Sequence, residues 1–226
     1  MPMTLSVLSG NIFTSAHQTI VNTVNCVGVM GAGLALECRL RYPEMFEKYV
    51  QLCDEGMIVI GKLWIFKSSD PGRWILNFPT KKHWKYPSKE EYLHAGLKKF
   101  MGTYEEKGIT SIAFPLLGAQ NGGLSASQSL AIMESYLKNC SIPVEIYRYD
   151  ASAPDDLFEI FRINLMSKSP RDVSAGTGLR IDYVNRIYNA LSDNRICQLG
   201  QLANVRGIGD KTLEKVFKYA QVGNLS

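Results

Sequence analysis

Two adjacent lysines, Lys81 and Lys82, stand directly after an apolar run that closes with Phe78, Pro79 and Thr80. A lysine at a strand end can serve as a nucleophile, because partial desolvation or a nearby cation lowers its pKa and frees the lone pair. More often, a lysine in such a loop is a solvated surface charge. His83, Trp84 and Tyr86 follow; their rings either pack within the loop or offer stacking faces to a base. Two glycine-rich segments raise the chemical interest. The first, "VNTVNCVGVMGAGLALECRLRYP" at 21–43, carries Asn22 and Asn25, then Gly28, Gly31, Ala32 and Gly33. The second, "PLLGAQNGGLS" at 115–125, runs through Gly118, Ala119, Gln120, Asn121, Gly122, Gly123 and Leu124. Glycine permits a sharp turn and close approach of a ligand. A helix N-terminus offers unpaired N–H groups and partial positive charge to an anion. One such loop is as often a packing turn, but two at strand ends can grip a diphosphate from both sides. The order GxxGxG is not the dinucleotide fingerprint GxGxxG, and there is no GxxxxGK[ST] phosphate loop.

The elements that must position these residues alternate. Strands are expected at 3–8, 19–24, 62–66, 73–78, 110–115 and 143–149, and helices at 31–40, 43–54, 88–107, 125–139 and 154–165. Ser88 with Glu91 has the spacing of a capping box, Ser125 and Asp155 suit N-terminal caps, and Gly56 and Gly108 suit helix ends. Such alternation predicts an α/β fold of three layers, a mixed central sheet between helices. In such sheets ligands collect beyond the carboxyl ends of the strands, where both glycine loops fall. "MSKSPRDVSAGTG" at 166–178 reads as a linker, rich in Ser, Gly and Pro. Three short helices are expected beyond it, at 179–192, 195–203 and 210–220, as a small all-α domain over 179–226.

Composition narrows the classes. The 226 residues are 46% hydrophobic and 20% charged, an ordinary globular balance with room for one sizeable domain and a small appendage. No apolar run approaches the roughly 18 residues of a membrane span, and the N-terminus lacks the basic flank of a signal peptide. Five cysteines form no CxxC pair, which predicts reduced thiols and a cytoplasmic location. Three scattered histidines predict no metal site. Of the net charge of +4, residues 171–226 carry +3, from eight Lys/Arg and five Asp/Glu. That asymmetry favours a polyanionic partner for the tail.

"LSGNIF" followed by "IVNTVNCVGVMGAGLA" resembles the opening of a macrodomain, the ADP-ribose-binding fold. "NFPTKKHW" with "PLLGAQNGGL" is similar to the DarG type, antitoxins that remove ADP-ribose from thymidine in DNA and are related to the terminal ADP-ribose protein glycohydrolases. The resemblance covers 4–165, so the macrodomain is expected over 1–165. It implies that Asn11 and Ile12 meet the adenine, although Asn stands where Asp is usual. It places Asn22 and Asn25 near the distal ribose, and sets Gly31, Ala32 and Gly33 against the diphosphate, with 118–124 closing from the other side. Lys81, directly after Thr80, corresponds to the catalytic lysine; Lys82 does not. The protein-directed branch carries an acidic residue in the second loop where this chain has Gly122, which leans towards the DNA-directed branch. ADP-ribose is implied as ligand and product, with no cofactor. ADP-ribosylated, single-stranded DNA and a cognate DNA ADP-ribosyltransferase toxin are the implied partners. Open alternatives are a non-catalytic ADP-ribose reader, a hydrolase of ester-linked ADP-ribose on protein or of O-acetyl-ADP-ribose, and an antitoxin that mainly sequesters its toxin.

In the tail, "LANVRGIGDKTLEKVFKYA" at 202–220 resembles a helix-hairpin-helix, which presents backbone N–H groups to a DNA phosphate. Arg206, Gly207, Gly209 and Lys211 are its candidate contacts, and His83 and Trp84 are those of the first domain. A small helical bundle that packs on the macrodomain or on a protein partner is the competing reading.

Overall fold

The computed structural model describes residues 5–68, 73–193 and 195–223. They fall into two compact units, Met1–Tyr149 and Asp150–Ser226. In the first, strands Leu5–Gly10 (β1), Thr19–Val24 (β2), Trp64–Lys67 (β3), Trp74–Pro79 (β4), Ile112–Pro115 (β5) and Val144–Tyr149 (β6) form one sheet. Their order is β1-β6-β5-β2-β4-β3. All neighbours are parallel except β3, which runs antiparallel to β4 at the edge. Five carboxyl ends therefore emerge along one rim.

Helices Gly33–Arg41 (α1), Pro43–Asp54 (α2), Glu90–Met101 (α3) and Ala126–Leu137 (α4) cover the sheet. Alternate strand residues take opposite faces. Val21, Leu76, Phe78 and Phe114 join Leu93 of α3 and Met133 of α4 in one core. Ile20, Val24, Ile75 and Ala113 join Cys38 of α1 and Tyr49 of α2 in the other. Burial on both faces explains why these strands read as continuous apolar runs.

Ser125 caps α4 in a full capping box with Gln128, as expected. Ser88 forms no such box with Glu91. The N-cap position of α3 is Lys89, without a side-chain cap, while Ser88 is buried and its N–H donates to Gly122 O at 2.8 Å. The helix also ends at Met101, before the expected 107, in a series of turns closed by Gly108 at φ +74°. The expected start of β1 at residue 3 lies outside the described residues.

The second unit comprises Phe158–Met166 (α5), Pro170–Thr177 (α6), Ile181–Leu191 (α7), a 3₁₀ helix at Leu199–Asn204 and Asp210–Gly223 (α8). Two expectations need correction here. The stretch 166–178 is no plain linker, because it contains α6. Ser169 caps α6 with its side chain, Pro170 occupies the first turn and Gly178 closes it at φ +64°. Ser, Pro and Gly punctuate a helix here, and Val173 is its one buried residue, too few to give a periodicity. The boundary also moves back from 165 to Tyr149, since α5 packs Phe158, Phe161 and Leu165 within this unit's interior. The segment 195–203 forms a shorter, later 3₁₀ helix than the α-helix expected there.

Asp155 ties this unit together. Its carboxylate accepts from Leu157 N (3.0 Å), Phe158 N (2.5 Å) and Leu199 N (2.6 Å), so one buried side chain caps α5 and anchors the 3₁₀ helix. Asp155→Ala is expected to destabilise this unit by about 2–4 kcal/mol, as a lost cap plus a stranded buried N–H. Urea denaturation should show the loss as a lowered midpoint, and Asp155→Asn should recover part of it.

Candidate active site

Three loops leave the carboxyl ends of the adjacent strands β5, β2 and β4, and they meet. The loop after β2 winds around Asn25. Asn25 Oδ1 accepts from Val27 N at 3.0 Å, its Nδ2 donates to Val29 O, and Tyr49 donates its hydroxyl to Asn25 O at 2.8 Å. With its amide spent on the loop, Asn25 shapes the cradle from within. The loop then delivers Gly31 and Ala32 to the start of α1, whose N-cap residue Ala32 makes no side-chain cap. Gly33 has φ +55°, and a Cβ there would lie 2.8 Å from Asn121 Nδ2. That near-contact joins the first glycine loop to the second.

The second loop is tightly wound. Gly118 (φ +65°) and Gly123 (φ +84°) adopt left-handed backbone, and Gln120 does so at φ +50° without being glycine. Leu124 N donates to Gly118 O at 3.0 Å, closing the turn that contains Ala119, Gln120, Asn121 and Gly122. A Cβ on Gly122 would come within 2.7 Å of Ser88 Oγ. The absence of a carboxylate at this position thus has a steric counterpart, since a buried hydroxyl sits directly behind the backbone.

Lys81 enters from the third side. Thr80, buried, is fixed by its N–H to Val24 O at 2.9 Å. Cys26 holds the following segment, with its Sγ donating to Lys81 O and its N–H to Lys82 O, both at 3.3 Å. The Lys81 amine then donates to Asn121 O and to Trp84 O, the latter at 3.4 Å. Burial holds this amine below the usual lysine range. Lys82 is exposed and lies 5.8 Å from the Tyr92 ring centroid, turned to a different neighbour.

Asn22 lies on the sheet below the first loop, fully buried, its Nδ2 donating to Asn77 Oδ1 at 2.9 Å. Asn77 was not among the expected site residues. Its signal was available: a lone amide inside the apolar run "RWILNF", in register with Asn22 across β2 and β4. The pair leaves Asn22 Oδ1 and Asn77 Nδ2 without partners.

Asn11 and Ile12 sit at the carboxyl end of β1, with β6 and β5 between them and β2. Asn11 caps the 3₁₀ turn Ile12–Thr14 by accepting from Phe13 N at 3.0 Å, and both residues are buried. The candidate residues therefore form a row along the rim, Asn11 at one end and Lys81 at the other. His83 and Trp84 continue past Lys81.

A family model, Macro domain, matches residues 21–133, half of the chain. The chain belongs to the macrodomain family. Its sequence is 48% identical over 118 residues to a DNA ADP-ribosyl glycohydrolase of Mycobacterium tuberculosis, covering 51% of this chain and 34% of that protein. It is 34% identical over 160 residues to a DNA ADP-ribosyl transferase-DNA ADP-ribosyl glycohydrolase fusion protein of Thermosipho africanus, covering 63% and 41%. The macrodomain of Mycobacterium tuberculosis DarG superposes with a TM-score of 0.62 at 40% identity, over 64% of this chain and 97% of that one. A structure of Thermosipho africanus DarTG in complex with ADP-ribose gives 0.60 at 34% identity, over 65% and 42%. This macrodomain chain thus spans about a third of the length of the Mycobacterium relative.

The tail candidates lie in the second unit. Gly207 (φ +85°), Ile208 and Gly209 form the hairpin between the 3₁₀ helix and α8, with Ile208 buried. A Cβ at Gly207 would meet Arg186 Nη1 at 2.6 Å, and that guanidinium donates to Arg206 O at 3.4 Å. Gly207, Gly209 and Lys211 border an open cleft shared with Tyr183 and Thr212. No helix among the described residues is long and apolar enough to cross a membrane.

Proposed function

We propose that this macrodomain is a hydrolase that releases ADP-ribose from ADP-ribosylated thymidine in DNA. The observation that carries this reading is the Lys81 amine, drawn by Asn121 O and Trp84 O to the junction of the glycine loops. An ammonium has three N–H bonds and a neutral amine has two plus a lone pair. With two directions taken by carbonyls, one remains for the reacting centre. Rupture of the N-glycosidic bond builds positive charge on the distal ribose and negative charge on thymine. A lone pair in that direction attacks the anomeric carbon as the bond to thymine breaks. The proton lost by the amine goes to the departing base, and water then hydrolyses the lysine–ribose adduct to free ADP-ribose. A third N–H instead supports the departing base while water takes the anomeric carbon.

Residues Gly31–Gly33 and Gly118–Leu124 would hold the diphosphate between the start of α1 and the second loop, which orients the ribose for either step. Asn11 and Ile12 would meet the adenine end, and the buried Asn22–Asn77 pair would support from beneath the loop that borders the distal ribose. ADP-ribose is ligand and product, and no cofactor is called for. The Thermosipho fusion joins a DNA ADP-ribosyl transferase to a glycohydrolase in one chain, which supports a transferase toxin as the partner whose modification this protein reverses. DNA as substrate implies work in the cytoplasm. The tail hairpin, with Arg206 and Lys211, would add a sequence-independent phosphate contact.

The test is release of free ADP-ribose from a thymidine-ADP-ribosylated single-stranded oligonucleotide. Turnover is the expected result. ADP-ribose binding without release would leave a reader, and release only from modified protein carboxylates would leave an ester hydrolase. Burial disfavours the charged form of Lys81, so the neutral amine that a nucleophilic role requires forms at lower pH than in a free lysine. The population of that amine grows as pH rises, so under a nucleophilic role kcat/KM should climb through the alkaline range with its midpoint below the usual lysine pKa. A profile that instead falls with rising pH assigns the ammonium role.

A further inference from the structure

We infer that the loop beyond Lys81 is a preformed platform for an unstacked nucleobase next to the modified thymidine; this rests on the DNA-directed reading above. His83 and Trp84 stack with centroids 5.6 Å apart and planes 24° from parallel, and Tyr86 leans on His83 at 5.5 Å and 51°. Two hydrogen bonds within the turn brace this array. Lys85 N donates to His83 Nδ1 at 3.2 Å and Tyr86 N donates to His83 O at 3.1 Å. Trp84 is nevertheless 49% exposed and Tyr86 66%, so both rings stay open to solvent.

Charge identifies the visitor. The ten residues "TKKHWKYPSK" at 80–89 contain four lysines and no carboxylate. Lys85 Nζ rests 5.2 Å from the Trp84 ring centroid on a flexible stem. A base stacking on that face would displace it towards an adjoining phosphate. Aromatic faces interleaved with cations are the composition that binds single strands without reading sequence. A protein surface would need apolar or acidic complement, whereas a nucleotide supplies a flat ring and an anion at every step.

The platform is tied to the chemistry through Trp84, whose carbonyl accepts from the Lys81 amine. A base seated on its indole therefore lies one residue's reach from the reacting centre. A paired base is already stacked on both neighbours and has no face to give, so the platform selects single strands.

The experiment compares kcat/KM for a thymidine-ADP-ribosylated single-stranded oligonucleotide with that for ADP-ribosylated thymidine lacking flanking nucleotides. In the wild type the oligonucleotide should be favoured, and Trp84→Ala should lower that ratio about tenfold, chiefly through KM, within the range of base–aromatic stacking. Trp84→Phe should restore most of it. Equal ratios in wild type and Trp84→Ala overturn the inference. A second readout does not need turnover. All three tryptophans lie in the first unit, so quenching of tryptophan emission by an unmodified single-stranded oligonucleotide reports there alone. Saturable quenching that is lost in Trp84→Phe supports the platform even if neither substrate is hydrolysed, which would sink only the hydrolase reading. Absence of quenching in the wild type overturns it, as does quenching by a purified transferase partner in place of DNA.

Discussion

Lys81→Ala is expected to slow ADP-ribose release from modified single-stranded DNA by about 10³-fold while ADP-ribose binding persists, a scale set by removal of single catalytic donors and nucleophiles in other enzymes. The separation follows from geometry. The proposed diphosphate cradle is backbone of 31–33 and 118–124, and Lys81 reaches the second loop through its amine. Single-turnover kinetics should record the loss, and calorimetric titration with ADP-ribose should record the retained affinity. The fold should hardly notice, because the side chain is only half-buried and its two partners are carbonyls that water can satisfy. Lys81→Arg sharpens the result. Arginine keeps charge and donors but offers no lone pair, so a nucleophilic role predicts an Arg variant as slow as the Ala variant. An Arg variant with substantial activity would assign an electrostatic role. Full activity in Lys81→Ala would remove the lysine from the chemistry and leave a reader or a different hydrolase.

The sequence was most informative where a local rule acts alone. Strand–helix alternation, the glycine loops and the Ser125 cap are set by neighbours in the chain, and each stands close to where its pattern put it. What could not be read was tertiary in origin. Ser88 has the spacing of a cap, but burial under Gly122 decides its place. Asn25 looks like a ligand contact because an exposed amide and one that pins a loop have the same letter; its bonds to Val27, Val29 and Tyr49 separate them. Asn77 stands out in the sequence as a lone amide in an apolar run, but its partner Asn22 emerged only from the register of β2 and β4. The segment 166–178 misled because the residues that make linkers also begin and end helices, and α6 is too short to declare a period. The resemblance already singled out Lys81 over Lys82; the structure adds how Cys26 and the path of the chain after β4 hold that segment.

Gly96→Ala should destabilise the first unit and disable the site together, although by helix propensity alone it would stabilise α3 by about 1 kcal/mol. A Cβ at Gly96 would lie 2.1 Å from Phe78 Cζ and 2.4 Å from Cε1, inside the ring's van der Waals envelope. The ring has no retreat, since Phe78 is fully buried against Leu93, Leu97, Phe100 and Phe114. Either α3 lifts from the sheet or β4 gives way, and overpacking of this kind costs typically about 1–3 kcal/mol. The steric loss exceeds the propensity gain, so thermal unfolding should begin several degrees lower, consistent with about 3–6 °C per kcal/mol for a unit of this size. The consequence for function follows from chain order: Phe78 is three residues before Lys81, and Thr80 holds that segment to β2 by one backbone bond. A shift at Phe78 moves the amine away from Asn121. The double variant Gly96→Ala with Phe78→Leu tests the cause, because trimming the ring makes room for the new methyl. If the clash is the mechanism, the two changes couple, and the double variant is more stable than the sum of the single effects. Simple additivity would place the loss in the helix itself and dissolve the link between this packing contact and the position of Lys81.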